Sequence, residues 1–192
     1  MLDKHNTVRV WDPLVRVFHW TLAVAFLTAY LVEDDWLALH VLAGYTVLGL
    51  LLFRLVWGVI GTRHARFTDF VRSPAVVLAY LKDVLATRAK RYLGHNPAGG
   101  AMVVALLVSL LLTTVSGLAL YGYREFSGPL AGVMYSASPG LGGVLQEVHE
   151  FCSQSTVVLV LLHLAGVALA SLQHGENLVR SMISGRKQQE SS

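Results

Sequence analysis

Four long apolar stretches, separated by polar segments, dominate the sequence. Each is long enough to cross about 30 Å of hydrocarbon as an α-helix. They cover approximately residues 14–32, 36–60, 99–121 and 148–173. The pattern predicts an all-α fold, an integral membrane four-helix bundle in which residues 1–192 form a single membrane domain.

The polar segments between these spans differ in length and pattern. The turn at 33–35 is short enough to join antiparallel neighbours, whereas residues 122–147 show no strong pattern. The longest segment, 61–98, contains a Ser-Pro helix start followed by an apolar stripe. It predicts an amphipathic helix at about 74–87 that lies on the membrane. The polar, basic segment after the fourth span is expected to be solvated.

Composition supports a membrane protein, because 54% of the residues are hydrophobic and only 14% are charged. The first span has no small-residue cleavage site and is closely followed by a second span, so it is not expected to be a removable signal peptide. A single cysteine, Cys152, excludes an internal disulfide, and no CxxCH motif for covalent haem attachment is present.

The basic residues predict the orientation. If both termini are cytoplasmic, all of the fifteen lysines and arginines except Arg124 lie on that side, as the positive-inside rule requires. Topology thus explains the basic side, and no nucleic-acid partner is needed. The outer side then carries a surplus of acidic residues: Glu33, Asp34, Asp35, Glu125, Glu147 and Glu150.

Four histidines fall inside the spans: His19, His40, His149 and His163. Ionisable side chains are costly in a membrane and usually mark a functional site. His149 and His163 are fourteen residues apart, which puts both on one helix face with a rise of roughly 21 Å. Depth then pairs His40 with His149 toward the outer surface, and His19 with His163 toward the cytoplasm.

Two facing imidazoles suit the axial positions of a haem iron, so the pattern favours two bis-histidine haems b between the helices. Zinc is disfavoured because it usually takes four ligands in one cluster and each depth offers two. The main alternative is a haem-free, histidine-based proton or ion transporter. The spans contain no deep Asp or Glu of the kind that such a relay normally uses.

Several short motifs resemble the bacterial cytochrome b561 family, which is related to the b-type subunits of nickel-iron hydrogenases. They are RVFHW, LHVLAGY, YLGHNPAGG, and HE with LLHLAG. The match covers essentially the whole chain. The resemblance implies that His19 and His163 are the axial ligands of a cytoplasmic-side haem, and His40 and His149 those of a periplasmic-side haem. It also implies a multi-pass protein of the bacterial inner (cytoplasmic) membrane.

The resemblance further implies electron transport between membrane quinone and a redox partner at the periplasmic face. One branch of similar architecture instead oxidises superoxide and reduces ubiquinone. A basic approach would be expected for that anionic substrate, and the outer side here is acidic. A redox protein such as a c-type cytochrome with a basic face is therefore favoured as the partner. Superoxide oxidase and the b-type subunit of a hydrogenase are the alternatives, and no residue is assigned a catalytic role.

Other polar and small residues suggest further contacts. Arg16 and Arg54 are candidates for haem propionates on the cytoplasmic side, and snorkelling to lipid phosphate is the alternative for Arg54. Gly44 and Gly49 indicate close approach of a flat ligand or of another helix. The third span carries no histidine and is expected to be a wall of the bundle. Weaker candidates for a quinone site are His64, Arg66 and His95.

Overall fold

The computed structural model describes residues 7–32 and 36–189. The protein is 76% helical, which confirms the all-α prediction. In the described ranges the helices are α1 (Pro13–Val32), α2 (Leu37–Ile60), α3 (Phe67–Phe70), α4 (Pro74–Leu85), α5 (Pro97–Arg124), α6 (Ala131–Met134), α7 (Leu141–His174) and α8 (Leu178–Ser184). Two short strands, β1 (Thr7–Arg9) and β2 (Arg186–Gln188), and a 3-10 turn at Arg63–Ala65 complete the described elements. The predicted turn at 33–35, with three of the outer acidic residues, lies outside the described ranges.

Four of these helices, α1, α2, α5 and α7, are long and apolar enough to cross a membrane. The prediction of four spans is therefore confirmed, with two changes of boundary. Helix α5 begins at Pro97, and the side chain of Asn96 caps it by accepting a hydrogen bond from Gly99 N at 2.7 Å. Helix α7 begins seven residues before the predicted start, so the segment expected to have no strong pattern contains α6 and the first turns of α7.

The amphipathic helix predicted in the longest polar segment is present as α4. It begins directly after Ser73 with Pro74 in its first turn. Its large apolar side chains are mostly exposed, and Leu85 keeps 85% of its surface accessible. This is the exposure that an apolar face turned toward lipid would have.

The chain divides into two compact units. The first unit comprises the described residues within 1–21, 53–104 and 161–192, and the second those within 22–52 and 105–160. Each unit contains segments of α1, α2, α5 and α7. Each unit also contains two of the four span histidines.

Asp12 joins two helices within the first unit. Its carboxylate accepts hydrogen bonds from Val15 N at the start of α1 (2.9 Å), from Thr62 Oγ1 (2.6 Å) and from Trp57 Nε1 (3.2 Å). Burial opposes ionisation of this carboxyl, but these donors outweigh it and hold the pKa of Asp12 below its ordinary value. The start of α1 is thereby fixed to the end of α2.

The segment after the fourth span is not simply solvated, as the sequence pattern suggested. It forms α8 and β2, and β2 pairs antiparallel with β1. Glu176, only 8% exposed, lies 3.1 Å from Arg91 Nη2 and 3.4 Å from Lys187 Nζ. Lys187 is also buried and donates to Tyr92 O at 3.0 Å. These polar residues can be buried in the first unit because they pair with one another, although they are far apart in the sequence.

The variant Glu176→Gln is expected to destabilise the first unit. It leaves the buried ammonium of Lys187 without its counter-charge, and breaking a buried ion pair costs about 3 to 5 kcal/mol. Thermal unfolding of the detergent-purified protein measures the loss. The matched control is Asp83→Asn, which breaks an exposed pair with Arg88 (2.8 Å) in the same unit and should cost less than about 1 kcal/mol. Equal effects of the two variants would show that the Glu176 cluster adds little.

Candidate cofactor sites

The second unit brings His40 on α2 and His149 on α7 face to face. Their ring centres are 6.1 Å apart and the ring planes are inclined by 77°. Two imidazoles that bind one metal ion from opposite sides have their nitrogens roughly 4 Å apart, because metal–imidazole bonds are about 2 Å long. The ring centres lie somewhat further out, so this spacing suits one ion between the two rings.

Hydrogen bonds fix the tautomer of both rings. His40 Nδ1 donates to Ala29 O at 2.9 Å, and His149 Nδ1 donates to Thr113 O at 3.0 Å. The hydroxyl of Ser116 lies 3.2 Å from the same nitrogen of His149 and donates to Thr113 O at 3.0 Å. A proton on Nδ1 makes Nε2 the nitrogen whose lone pair can bind a metal ion, which is the common arrangement in metal-binding histidines.

Both imidazoles line a cavity of about 610 Å³ in the second unit. Its walls combine apolar side chains with Tyr45, Tyr121 and Arg124. Gly44 is part of the lining, and a Cβ placed there would meet no atom within 4 Å. Space at Gly44 therefore favours a flat ligand over close helix packing. Gly49 is equally open, so helix packing does not explain that glycine either.

Helix α5 does more than form a wall. A Cβ at Gly117 would lie 2.8 Å from His149 Cε1 and 3.1 Å from its Nδ1, so the absence of a side chain there leaves room for the imidazole. Thr113 and Ser116 supply the acceptors for the same ring. The sequence predicted only a wall of the bundle here, and the signal available was the spacing of these small residues on one face of the third span.

A hydroxyl cluster supports this part of α5. Thr156, with no exposed surface, lies 2.7 Å from the Ser109 hydroxyl and 3.2 Å from the Thr113 hydroxyl, measured between the oxygens. Its Oγ1 also donates to Cys152 O at 2.9 Å, one helical turn earlier on α7. Helices α5 and α7 are thus held in register next to His149.

Arg124, the one basic residue predicted for the outer side, lies at the same cavity. It hydrogen-bonds Gln146, which in turn donates to Glu150 Oε1 at 2.7 Å. No sequence pattern marked Arg124 as a cofactor residue. Its position at the end of a predicted span was the only available signal.

The first unit brings together the other two span histidines. The ring centres of His19 on α1 and His163 on α7 are 6.4 Å apart, and their planes are inclined by 53°. The His19 ring also meets Trp20 edge-on, with ring centres 5.0 Å apart. In this pair His19 Nδ1 is buried and no described residue hydrogen-bonds it, so the structure does not fix its tautomer as it does in the second unit.

Two arginines of the first unit have unused buried donors. Arg54 is only 3% exposed, and its guanidinium carbon stands 4.9 Å from the centre of the Phe67 ring. Among the described residues its Nη1 has no hydrogen-bond partner, and neither has the buried Nε of Arg16. Burial excludes the alternative that Arg54 snorkels to lipid phosphate. Unsatisfied buried donors are rare, so these atoms fit an acidic group that the described part of the polypeptide does not provide.

The three residues suggested for a quinone site have different surroundings. Arg66 lines a polar cavity of about 380 Å³ with Arg63, Thr68 and Asp69. His64 pairs with Asp69 through Nδ1 at 3.0 Å. His95 lies between the Trp11 and Phe70 rings, each 4.7 Å away. Burial, together with the charge of Arg54, lowers the pKa of His95 to about 3.

Taken together, the donor atoms fit haem. Each unit offers one facing pair of imidazoles, the ligand set of a bis-histidine haem. The second unit adds a cavity with an open wall at Gly44. The first adds buried guanidinium donors that match the carboxylates which a haem carries on its edge.

Comparison with known proteins agrees with this chemistry. The family model for prokaryotic cytochrome b561 matches residues 10–185. A probable Ni/Fe-hydrogenase B-type cytochrome subunit of Bradyrhizobium diazoefficiens is 26% identical, over 95% of this chain and 86% of its own length. The proteins of that name from Azotobacter chroococcum and Rhodobacter capsulatus are 26% and 22% identical, over 95% and 97% of this chain and 89% and 83% of their own lengths.

Proposed function

Because this chain belongs to the prokaryotic cytochrome b561 family, we propose that it relays electrons through two haems b, between a membrane quinone and a redox protein at the periplasmic face. It is a multi-pass bacterial membrane protein and a b-type cytochrome of electron transfer. The proposal adds the number of haems, the quinone and the partner. It also adds a location in the inner membrane, both termini in the cytoplasm, and a single membrane domain.

The observation that best supports two haems is the occurrence of two facing imidazole pairs. The pairs are His40 with His149 and His19 with His163, with ring centres 6.1 Å and 6.4 Å apart. A transporter that moved protons between histidines would not need imidazoles facing one another at the spacing of a single metal ion.

Each residue set has its own role in the proposed relay. Haem supplies the one-electron chemistry when it is bound. The four histidines would hold the iron, and the acceptors of His149 Nδ1 would orient that ring and raise its basicity. Arg16 and Arg54 would hold propionates, which keeps charge compensated in the buried first unit. Apolar walls exclude water, and burial of the site influences the potential.

The ends of the relay are proposed from charge and position. His64, Arg66 and His95 belong to the first unit and are proposed to lie near the quinone. Glu125, Glu147 and Glu150, at the opposite ends of the spans in sequence, would attract a partner with a basic face such as a c-type cytochrome. Electrostatic attraction of this kind mainly raises the association rate.

The relatives favour a second candidate for the partner. Their names describe the B-type cytochrome subunit of a Ni/Fe-hydrogenase. In that case the electrons would come from a hydrogenase docked at the same acidic face. Reduction of the haems by hydrogen in membranes that contain such an enzyme, and not in membranes without it, would identify this partner.

The detergent-purified protein is expected to contain two haems b per chain. The number follows from one ligand pair in each unit. A reduced-minus-oxidised absorption spectrum identifies the haem type, and pyridine haemochrome assay with protein quantification gives the number. A folded, haem-supplied preparation that contained no haem would refute the relay and favour the histidine-based transporter.

A further inference from the structure

The first unit contains a buried positive charge that no described carboxylate pairs with at salt-bridge distance. Arg54 is held over the Phe67 and Phe70 rings, with its guanidinium carbon 4.9 Å and 5.8 Å from their centres. The described carboxylate that acts on it electrostatically is Asp12, which is already engaged by Thr62 and Trp57. An unpaired buried charge costs several kcal/mol, so the site calls for an anion.

His95 belongs to the same positive region. Its Nδ1 is buried and, like Nη1 of Arg54, has no hydrogen-bond partner within 7–32 and 36–189. The Phe70 ring lies near both side chains, 5.8 Å from the guanidinium carbon of Arg54 and 4.7 Å from the His95 ring, and the other groups that act electrostatically on His95 are Lys187, His163 and His64. Glu176 compensates Lys187 at 3.4 Å, and Asp69 pairs with His64 at 3.0 Å. Among these groups Arg54 is therefore the cation without a described carboxylate at salt-bridge distance.

An anion within reach of both side chains would give a partner to Nη1 of Arg54 and to a protonated Nδ1 of His95. It would also reverse the local electrostatics, because a nearby negative charge favours the protonated form of an imidazole. A haem bound by His19 and His163 in the same unit would bring such groups, since it carries two carboxylates. Lipid phosphate is less suitable, because Arg54 is only 3% exposed.

We propose that Arg54 and His95 together hold one carboxylate of the haem bound by His19 and His163, and that His95 takes up a proton when this haem is reduced. The inference rests on the proposed function and changes the role of His95 from a quinone contact to a proton-accepting partner of the haem. One electron from the donor, a quinol in the membrane or dithionite in the assay, converts ferric to ferrous iron. One proton from solvent binds the unprotonated nitrogen of His95.

The coupling follows from charge. Reduction removes one positive charge from the region, so the imidazolium form of His95 becomes more stable in the reduced than in the oxidised protein. His95 therefore binds its proton more tightly in the reduced than in the oxidised protein. In the pH range between these two protonation equilibria, the midpoint potential falls as pH rises. The limit is a tenfold change in the reduction equilibrium per pH unit, which is 59 mV for one electron.

The test is a potentiometric titration at several pH values across about pH 5 to 8, where imidazoles usually titrate. The variant His149→Ala serves as the background, because only the haem of the first unit should be present there. We expect the midpoint potential to fall with rising pH in this background. Addition of His95→Gln should abolish the pH dependence of the potential in the haem that remains bound.

The control His174→Gln replaces another histidine of the first unit and should keep the dependence. A second variant, Arg54→Gln, removes the neighbouring positive charge, so His95 should hold its proton to higher pH and the pH range in which the potential falls should move upward. This variant tests the proposal even if His95→Gln fails to assemble. A pH-independent potential in the background protein, an unchanged slope in His95→Gln, or an unchanged window in Arg54→Gln would overturn the proposal. If the parent protein contains two haems but the potential in the His149→Ala background does not depend on pH, this inference alone is overturned. A parent protein without haem would overturn the proposed function as well.

Discussion

Replacing His163 by alanine is expected to give a folded protein with one haem b per chain instead of two. His163 faces only His19 among the span histidines, with ring centres 6.4 Å apart, so its removal leaves the His40–His149 pair unchanged. A haem that loses one of two axial imidazoles loses a strong bond. The site in the first unit should therefore be empty or only weakly occupied. Pyridine haemochrome assay and the reduced-minus-oxidised spectrum measure the loss.

The reciprocal variant, His149→Ala, should remove the other haem. The two single variants together should then account for the whole spectrum of the parent protein, since each retains the component that the other lacks. His174→Ala, at the end of α7, is the matched control and should keep both haems. Loss of both haems from either single variant, in a protein that still elutes as a folded species, would argue against two independent sites.

The spans were predictable because the membrane imposes a strong local rule on sequence. A backbone in hydrocarbon must satisfy its own hydrogen bonds. A run of about 20 apolar residues is therefore almost sufficient by itself to predict a membrane-spanning helix. The amphipathic helix α4 was found for a related reason, since Ser73 and Pro74 mark its start and its apolar side chains recur at helical spacing. Helical periodicity also placed the span histidines on common faces, and the structure brings both predicted pairs together.

The polar interior of the first unit was not predictable in the same way. Glu176 and Arg91 are 85 residues apart in sequence, and neither has a local pattern that marks it as buried. The pairing of β1 with β2 was not predictable either. Each strand has three residues, which is too short for a recognisable pattern, and the two lie at opposite ends of the described chain. The surroundings of His95 also depend on distant residues, because its ring lies between Trp11 and Phe70.

The contribution of α5 to the second site depends on space rather than on donor chemistry. In a sequence, the signal for a metal site is a side chain that can bind metal, and Gly117 has no side chain. Yet the structure shows the His149 ring occupying the volume that a Cβ at this position would need. We therefore expect Gly117 to contribute to this site through the side chain that it lacks.

The variant Gly117→Val is therefore expected to abolish haem binding by His40 and His149 while the haem of the first unit is kept. Even the first added carbon would lie 2.8 Å from His149 Cε1, closer than van der Waals contact allows. The imidazole has little freedom to yield, because Nδ1 is held by Thr113 O at 3.0 Å. A displaced ring would lose its orientation toward the iron. Haem content should fall from two to one per chain, and the remaining spectrum should match that of His149→Ala.

The control for this variant is Gly143→Val on α7 in the same unit, where an added Cβ meets no atom within 4 Å and the residue is exposed. Both changes add the same side chain to a helix, so a general effect of valine on helix stability or insertion would appear in both. Only the change at Gly117 should remove a haem. If Gly117→Val kept two haems with an unchanged spectrum, the clearance at Gly117 would not be required for ligation by His149, and α5 would be no more than a wall of the bundle.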